Sequence, residues 1–91
     1  MTPAEIDQII DAMAAEAAKT GDEGQLPGAI FMHSNDYVGS TLKAETTSLI
    51  RGMRYRGVRV LVSREWESQV TARTDLKREV GAFEPLTPPP A

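Results

Sequence analysis

His33, Ser34 and Asp36 form the tightest cluster of chemically versatile side chains in the sequence. They follow a short apolar run where a predicted strand leads into a helix, and the carboxyl ends of parallel strands often bind ligands. A histidine three residues from a carboxylate can act as an oriented general base or supply two metal ligands. The simpler interpretation, which we favour, is that Ser34, Asn35 and Asp36 cap the helix while His33 lies at the rim of the core.

Ser40 and Lys43 are a second polar group at the start of the same predicted helix. A lysine near hydroxyl side chains at a helix N-terminus can bind an anion. The GSTLK segment around them has one glycine and lacks the frame of a phosphate-binding loop. With one histidine and no cysteine in 91 residues, zinc sites and catalytic triads are hard to assemble. We therefore expect no cofactor, no metal and no enzymatic activity, and a small enzyme using His33 and Asp36 is the last alternative.

The segment 51–59 is the most informative part of the chain. It carries four arginines and a tyrosine, namely Arg51, Arg54, Tyr55, Arg56 and Arg59. Arginines contact phosphates and a tyrosine stacks on a base, but a pI of about 5.0 is unusual for a nucleic-acid domain. The same residues suit a protein interface that docks the acidic helix of a neighbour. They also suit a solvated helix end, where cations complement the helix dipole.

Trp66 is the one tryptophan, and it lies between two glutamates. Core packing is its simplest use, and an interface or ligand contact is the alternative. Charge is also uneven along the chain. Residues 1–50 contain eight acids and two lysines, whereas residues 51–91 contain eight bases and five acids. This asymmetry predicts two faces of opposite sign or subunits meeting head to tail, unless each charge only solvates its own element.

The element with the clearest signal is an amphipathic helix over residues 3–20. Thr2 and Glu5 have the spacing of a capping box, Pro3 suits the first helical position and Gly21 suits the left-handed C-terminal cap. Apolar residues recur at helical spacing along one stripe.

A strand–helix–strand unit follows. Residues 29–33 and 58–63 are short apolar, β-branched runs typical of strands. A stripe of Val38, Leu42, Leu49, Ile50 and Met53 predicts a second helix between them, ending at Gly52 or Gly57. The two strand starts are 29 residues apart, so we expect a βαβ-like unit with parallel strands.

The remaining chain has weaker signals. A side-chain pattern of period two predicts a third strand over residues 67–73, paired with the strand at 58–63. A short helix capped by Thr74 and carrying Leu76 and Val80 would follow. The fold class is therefore α+β or small α/β, with two or three strands covered by two helices. We expect one domain over residues 1–83 and a Pro-rich, flexible tail over residues 84–91.

Residues 28–67 resemble a strand–helix–strand segment of tailed-phage coat proteins. The resemblance rests on the strand Ile30–His33, on a helix containing Leu42 and on a Gly-x-x-Val-x-x-Ser strand at residues 57–63. It implies a small phage-encoded accessory or virion protein rather than a shell subunit, and it transfers no functional residues.

A small sheet with open edges invites a partner. We expect a non-enzymatic protein of the cytoplasm, in a bacterium or a phage-infected cell, that works by association. A homo-oligomer is the expected assembly, with a two-fold dimer favoured, and a different protein partner is an alternative. Binding of nucleic acid or a phosphate ligand through segment 51–59 is the weaker alternative, and we expect no association with a membrane, because no apolar run is long enough to cross one.

Overall fold

The computed structural model describes residues 1–40, 42–46 and 48–89, and it combines helix with a mixed five-stranded sheet. The elements are α1 (Pro3–Thr20), β1 (Pro27–His33), α2 (Ser34–Gly39), β2 (Glu45–Thr46), β3 (Met53–Tyr55), β4 (Val58–Ser63) and β5 (Gln69–Ala72), with 3₁₀ turns at Glu23–Gln25 and Arg73–Asp75. The strand order is β2-β3-β4-β1-β5. β1 and β4 are parallel and the other neighbours are antiparallel. The predicted mixed α and β fold is confirmed.

Helix α1 has the predicted ends. The Thr2 hydroxyl accepts a hydrogen bond from the Glu5 backbone N–H at 3.2 Å, and the Glu5 carboxylate accepts one from the Thr2 N–H at 3.4 Å. At the other end Gly21 has a φ of 71°, and its N–H donates to the Ala17 carbonyl. Ile6 and Ile10 are completely buried, so the apolar stripe packs α1 on the sheet.

Strand β1 is central because both of its faces are covered. Side chains alternate along a strand, so Ile30 and Met32 pack against α1 together with Val60. Ala29 and Phe31 point to the opposite face, where they belong to a second cluster with Val80. The cover on that second face comes from irregular chain after β5 rather than from a helix.

The predicted second long helix is wrong. α2 ends at Gly39, and the rest of the stripe is divided between irregular chain, β2, a turn and β3. Leu49 and Ile50 lie in that turn and are 99% and 95% exposed. Gly39 lies inside the predicted helix, where glycine lowers helix propensity, and α2 ends at that residue. β2 and β3 take its place, so the sheet has five strands instead of two or three. Thr41 and Thr47 lie outside the described residues.

The predicted parallel pairing of residues 29–33 with residues 58–63 is confirmed, although the connection runs through α2, β2 and β3. The third strand is also confirmed, as β5, but its predicted partner is wrong. β5 pairs with β1, because β4 already has β1 on one side and β3 on the other.

The predicted helix after Thr74 is wrong as well. The chain makes one 3₁₀ turn and continues without regular structure. The Arg73 N–H donates to the Leu26 carbonyl at 2.9 Å, which ties this turn to the start of β1. Gly28 permits the close approach, because a Cβ there would lie 2.9 Å from the Arg73 Cα.

The chain from Glu84 to Thr87 follows the β3–β4 hairpin. Leu86 packs against the α1-side core, and the Thr87 N–H donates to the Arg56 carbonyl at 3.0 Å. Flexibility of the tail stays a prediction, and Pro90 and Ala91 lie outside the described residues. Within the described chain, neither helix combines the length and the apolar character that crossing a membrane requires.

Candidate functional site

The turn between β3 and β4 places two of the predicted site residues. Tyr55 pairs with Val58 across a two-residue loop of Arg56 and Gly57. Both loop residues have positive φ, 54° and 84°, which is the requirement of a type I′ turn. An arginine with positive φ is uncommon, so the contacts of its side chain must compensate for the backbone strain.

Arg56 reaches the acidic helix of its own chain. Its guanidinium lies 3.3 Å from an Asp7 oxygen and 2.8 Å from an Asp11 oxygen, and its Nε donates to the Thr87 carbonyl at 2.9 Å. The Tyr55 hydroxyl donates to the same Asp7 carboxylate at 2.8 Å. Burial and the Asp7 carboxylate raise the pKa of Tyr55 to about 12. The opposite charges of the two halves of the sequence therefore meet within one chain.

Arg54 is 4% exposed, and on the other face of the β3–β4 hairpin it binds the chain at Ala82 and Glu84. It donates to the carbonyls of Arg51, Gly57 and Ala82, and it forms an ion pair with Glu84 at 3.0 Å. Burial lowers the pKa of Arg54, although its charge is partly compensated by Glu84.

Arg51 and Arg59 complete this network. Arg51 binds both carboxylate oxygens of Glu84 at 2.8 and 2.9 Å, which raises the pKa of Arg51 and lowers the pKa of Glu84. Arg59 lies opposite Arg54 on β4 and donates to the Val80 carbonyl at 3.4 Å. The structure thus brings the predicted arginines together on the β3–β4 hairpin, and each has an acceptor within the chain. The interpretation of this segment as a solvated helix end is wrong, because it forms strands and a turn and because Arg54 and Arg56 are buried. The use of these arginines in binding a partner stays a prediction.

The His33 cluster caps the N-terminus of α2. His33 itself is the N-cap, since its Nδ1 accepts a hydrogen bond from the Asn35 N–H at 3.1 Å. The His33 backbone N–H donates to the Ser68 hydroxyl at 3.1 Å, and that hydroxyl donates to Asp36. The bond from Ser68 lowers the pKa of Asp36. Ser68 therefore links α2 to the start of β5 and points to the carboxylate rather than to the imidazole.

The other predicted polar residues, Ser34, Ser40 and Lys43, do not form a reactive centre with His33 and Asp36. The Ser40 hydroxyl donates to the Tyr37 carbonyl at 2.9 Å, which ends α2. Ser34 is partly buried in the first turn of α2, and Lys43 is exposed. In the described residues no three acidic, histidine or cysteine side chains are placed to hold a metal ion. The geometry is that of a capped helix start.

A cleft of about 360 Å³ runs along one face of β5, and Trp66 lies in its wall. The Trp66 ring meets Phe31 edge to face, with 5.0 Å between ring centres, and the Arg78 guanidinium lies 4.9 Å above the Trp66 ring. The lining residues are Phe31, Trp66, Gln69, Thr71, Asp75, Leu76, Lys77 and Arg78. Sequence reasoning had singled out only Trp66. The period-two alternation through β5 places Gln69 and Thr71 on one face, but nothing in the sequence indicated the approach of residues 75–78.

Strand β5 is also an open edge of the sheet. It pairs with β1 on one side, and within the described chain no strand pairs with its other side. Its four residues, Gln69–Ala72, include no charged residue and no proline. The opposite edge, β2, has only two residues and includes Glu45. Edge strands in monomers are normally short or protected by charge and proline, so β5 is the less protected edge.

Comparison of the chain with protein-family models, curated proteins and solved structures gives no match. The resemblance of residues 28–67 to a segment of tailed-phage coat proteins therefore stays a prediction.

Proposed function

We propose that this protein is non-enzymatic and works in the cytoplasm by association with a second copy of itself through the open edge of β5. The observation that carries the proposal is the edge itself, an uncharged four-residue strand at the border of the sheet. The outer backbone N–H and C=O groups of such a strand are suited to pair with another strand. Pairing of two β5 strands would join two five-stranded sheets into one.

Two-fold symmetry restricts the register of this pairing. A two-fold axis perpendicular to the sheet keeps each face of the sheet on the same side in both copies. Residues that face each other across the two β5 strands must therefore point to the same side, so they are an even number apart in sequence. With Val70 facing its own copy, Gln69 faces Thr71 of the second copy, and both are uncharged. The strand Gln69–Ala72 carries no charged side chain that would repel its own copy in this orientation.

The test is the mass of the protein across a dilution series, measured by light scattering or sedimentation. Gln69→Lys places a cation on the exposed part of the edge, a device that natural edge strands use against pairing. Gln8→Lys, on the exposed face of α1, is the matched control because it makes the same change in charge away from β5.

We expect a dimer that dissociates on dilution. In Gln69→Lys the protein concentration at which half of the dimer has dissociated should be higher by about tenfold or more, which corresponds to a loss of about 1.4 kcal/mol in the free energy of dimerisation. Gln8→Lys should behave as the parent does. Circular dichroism shows whether both variants keep the fold. A monomer at every concentration, or equal dimerisation of folded Gln69→Lys and the parent, would reject the proposal.

A further inference from the structure

We propose that the cleft beside Trp66 binds a proline-rich segment in the polyproline II conformation, and that the segment is residues 88–91 of another copy of this chain. This inference goes beyond pairing through β5, because it concerns the face of the strand and not its hydrogen-bonding edge.

The cleft has the chemistry that such a segment requires. Polyproline II has no internal hydrogen bonds and leaves its carbonyl oxygens open, and proline-rich segments dock in grooves lined by aromatic side chains. Here Trp66 supplies the aromatic surface, Phe31, which is 8% exposed, forms part of the floor, and Leu76 adds an aliphatic wall. The Trp66 indole N–H and the Thr71 hydroxyl have no hydrogen-bonding partner in the described chain, and both can donate to a carbonyl oxygen.

The same chain carries a segment of matching chemistry. Three consecutive prolines follow Thr87, and proline fixes φ near the value of polyproline II, so little conformational entropy is lost on binding. The chain is held as far as Thr87 by its bond to the Arg56 carbonyl. Beyond that bond, Pro88 and Pro89 are exposed to solvent.

Residues 88–91 are too short to reach the cleft of their own copy. Leu86 packs against the α1-side cluster, whereas Phe31 and Trp66 belong to the cluster on the opposite face of the sheet. Thr87 is bonded to Arg56 in the β3–β4 turn, so two to three strand spacings, about 10–14 Å at roughly 4.8 Å each, separate it laterally from β5. Trp66 precedes the far end of β5, which adds about 13 Å along the strand. Four residues of polyproline II span about 12 Å, which is less than these two separations together. The occupant must come from a second copy, and the contact is head to tail because the two surfaces differ.

Trp66 makes the test direct, because it is the one tryptophan in the sequence and its fluorescence reports on the cleft. The protein used is the full chain with Pro88, Pro89 and Pro90 all changed to alanine, so that the tails of other copies do not compete with the peptide. The probe is a peptide of residues 84–91, and the control peptide replaces its three prolines with alanine.

We expect a saturable change in Trp66 emission with the proline peptide, and binding weaker by about tenfold or more with the alanine peptide. No saturable change up to about 1 mM peptide, or equal binding of both peptides, would overturn the inference. The two proposals fail separately. Gln69 also lines the cleft, so pairing through β5 is tested by the mass of the triple alanine variant on dilution, with and without Gln69→Lys, where no proline tail contributes. The titration, run at concentrations where the protein is monomeric, tests the cleft.

Discussion

Replacing Arg56 with asparagine sets two physical effects against each other at one position. Asn-Gly is the preferred sequence for a type I′ turn, and Arg56 occupies the first position of that turn with a φ of 54°. By turn preference alone, Arg56→Asn should stabilise the hairpin. The substitution also removes the guanidinium that joins the hairpin to α1 and to the C-terminal segment, so we expect a net loss of stability.

The sizes of these two effects decide whether Arg56→Asn raises or lowers the free energy of unfolding. Relief of left-handed backbone strain is worth about 1 kcal/mol, since ordinary residues lose roughly 1–2 kcal/mol in that conformation. Removing one partner of a buried ion pair costs roughly 3–5 kcal/mol. The Arg56 side chain is 5% exposed, but Asp11 is 62% exposed and hydrates when it is left alone. We therefore take about 3 kcal/mol for the loss and about 2 kcal/mol for the net destabilisation.

Urea unfolding followed by circular dichroism measures this difference, and thermal unfolding should show a fall of about 8–16 °C. Arg64→Asn is the matched control, because Arg64 is exposed and makes no ion pair in the described chain. Its effect should stay within about 0.5 kcal/mol. If Arg56→Asn is as stable as the parent or more stable, the guanidinium contacts do not hold the tail and α1 to the hairpin.

The hairpin and its contacts lead to four further predictions. Tyr55→Phe removes the hydroxyl bound to Asp7 and should cost about 1.5 kcal/mol at neutral pH, measured by urea unfolding; an unchanged midpoint would contradict the bond. Because the pKa of Tyr55 is raised to about 12, its contribution is complete below pH 10 and lost as the pH rises toward 12, so the stability gap between parent and Tyr55→Phe should close over that window. The pKa of Glu84 is lowered below 4.5, so its contribution is present above that pH and lost as the pH falls further, and Glu84→Gln should flatten acid unfolding monitored by circular dichroism. Because the arginines at 51–59 have acceptors within the chain, single-stranded DNA should not bind measurably at low salt in a fluorescence anisotropy titration; salt-sensitive binding would favour the nucleic-acid alternative.

Local signals predicted the parts of the fold that depend on local physics. The capping box at Thr2, the stripe containing Ile6 and Ile10, and the β-branched run of β4 each determine an element from neighbouring residues. The second helix was predicted from a stripe of the same kind. It failed because Gly39 weakens the helix near its start, and because residues 45–46 find a hydrogen-bonding partner in β3, which no helical pattern reveals.

The site depends on contacts between distant parts of the chain. Arg56 meets Asp7 and Asp11 across more than forty positions in the sequence, so the sequence analysis considered the acidic helix of a neighbour and not that of the same chain. The cleft was missed for a related reason. Leu76 and Arg78 reach Trp66 from irregular chain, and their position depends on the bond that ties Arg73 to Leu26.

The claim that β5 is the surface of association is tested most directly by hydrogen exchange at increasing protein concentration. Amides of residues 69–72 that point away from β1 should exchange quickly in dilute protein and become protected as the concentration rises. Amides in the middle of α1 should exchange at the same rate throughout. If exchange over residues 69–72 is independent of concentration while light scattering shows a dimer, association uses another surface and the account given for β5 is contradicted.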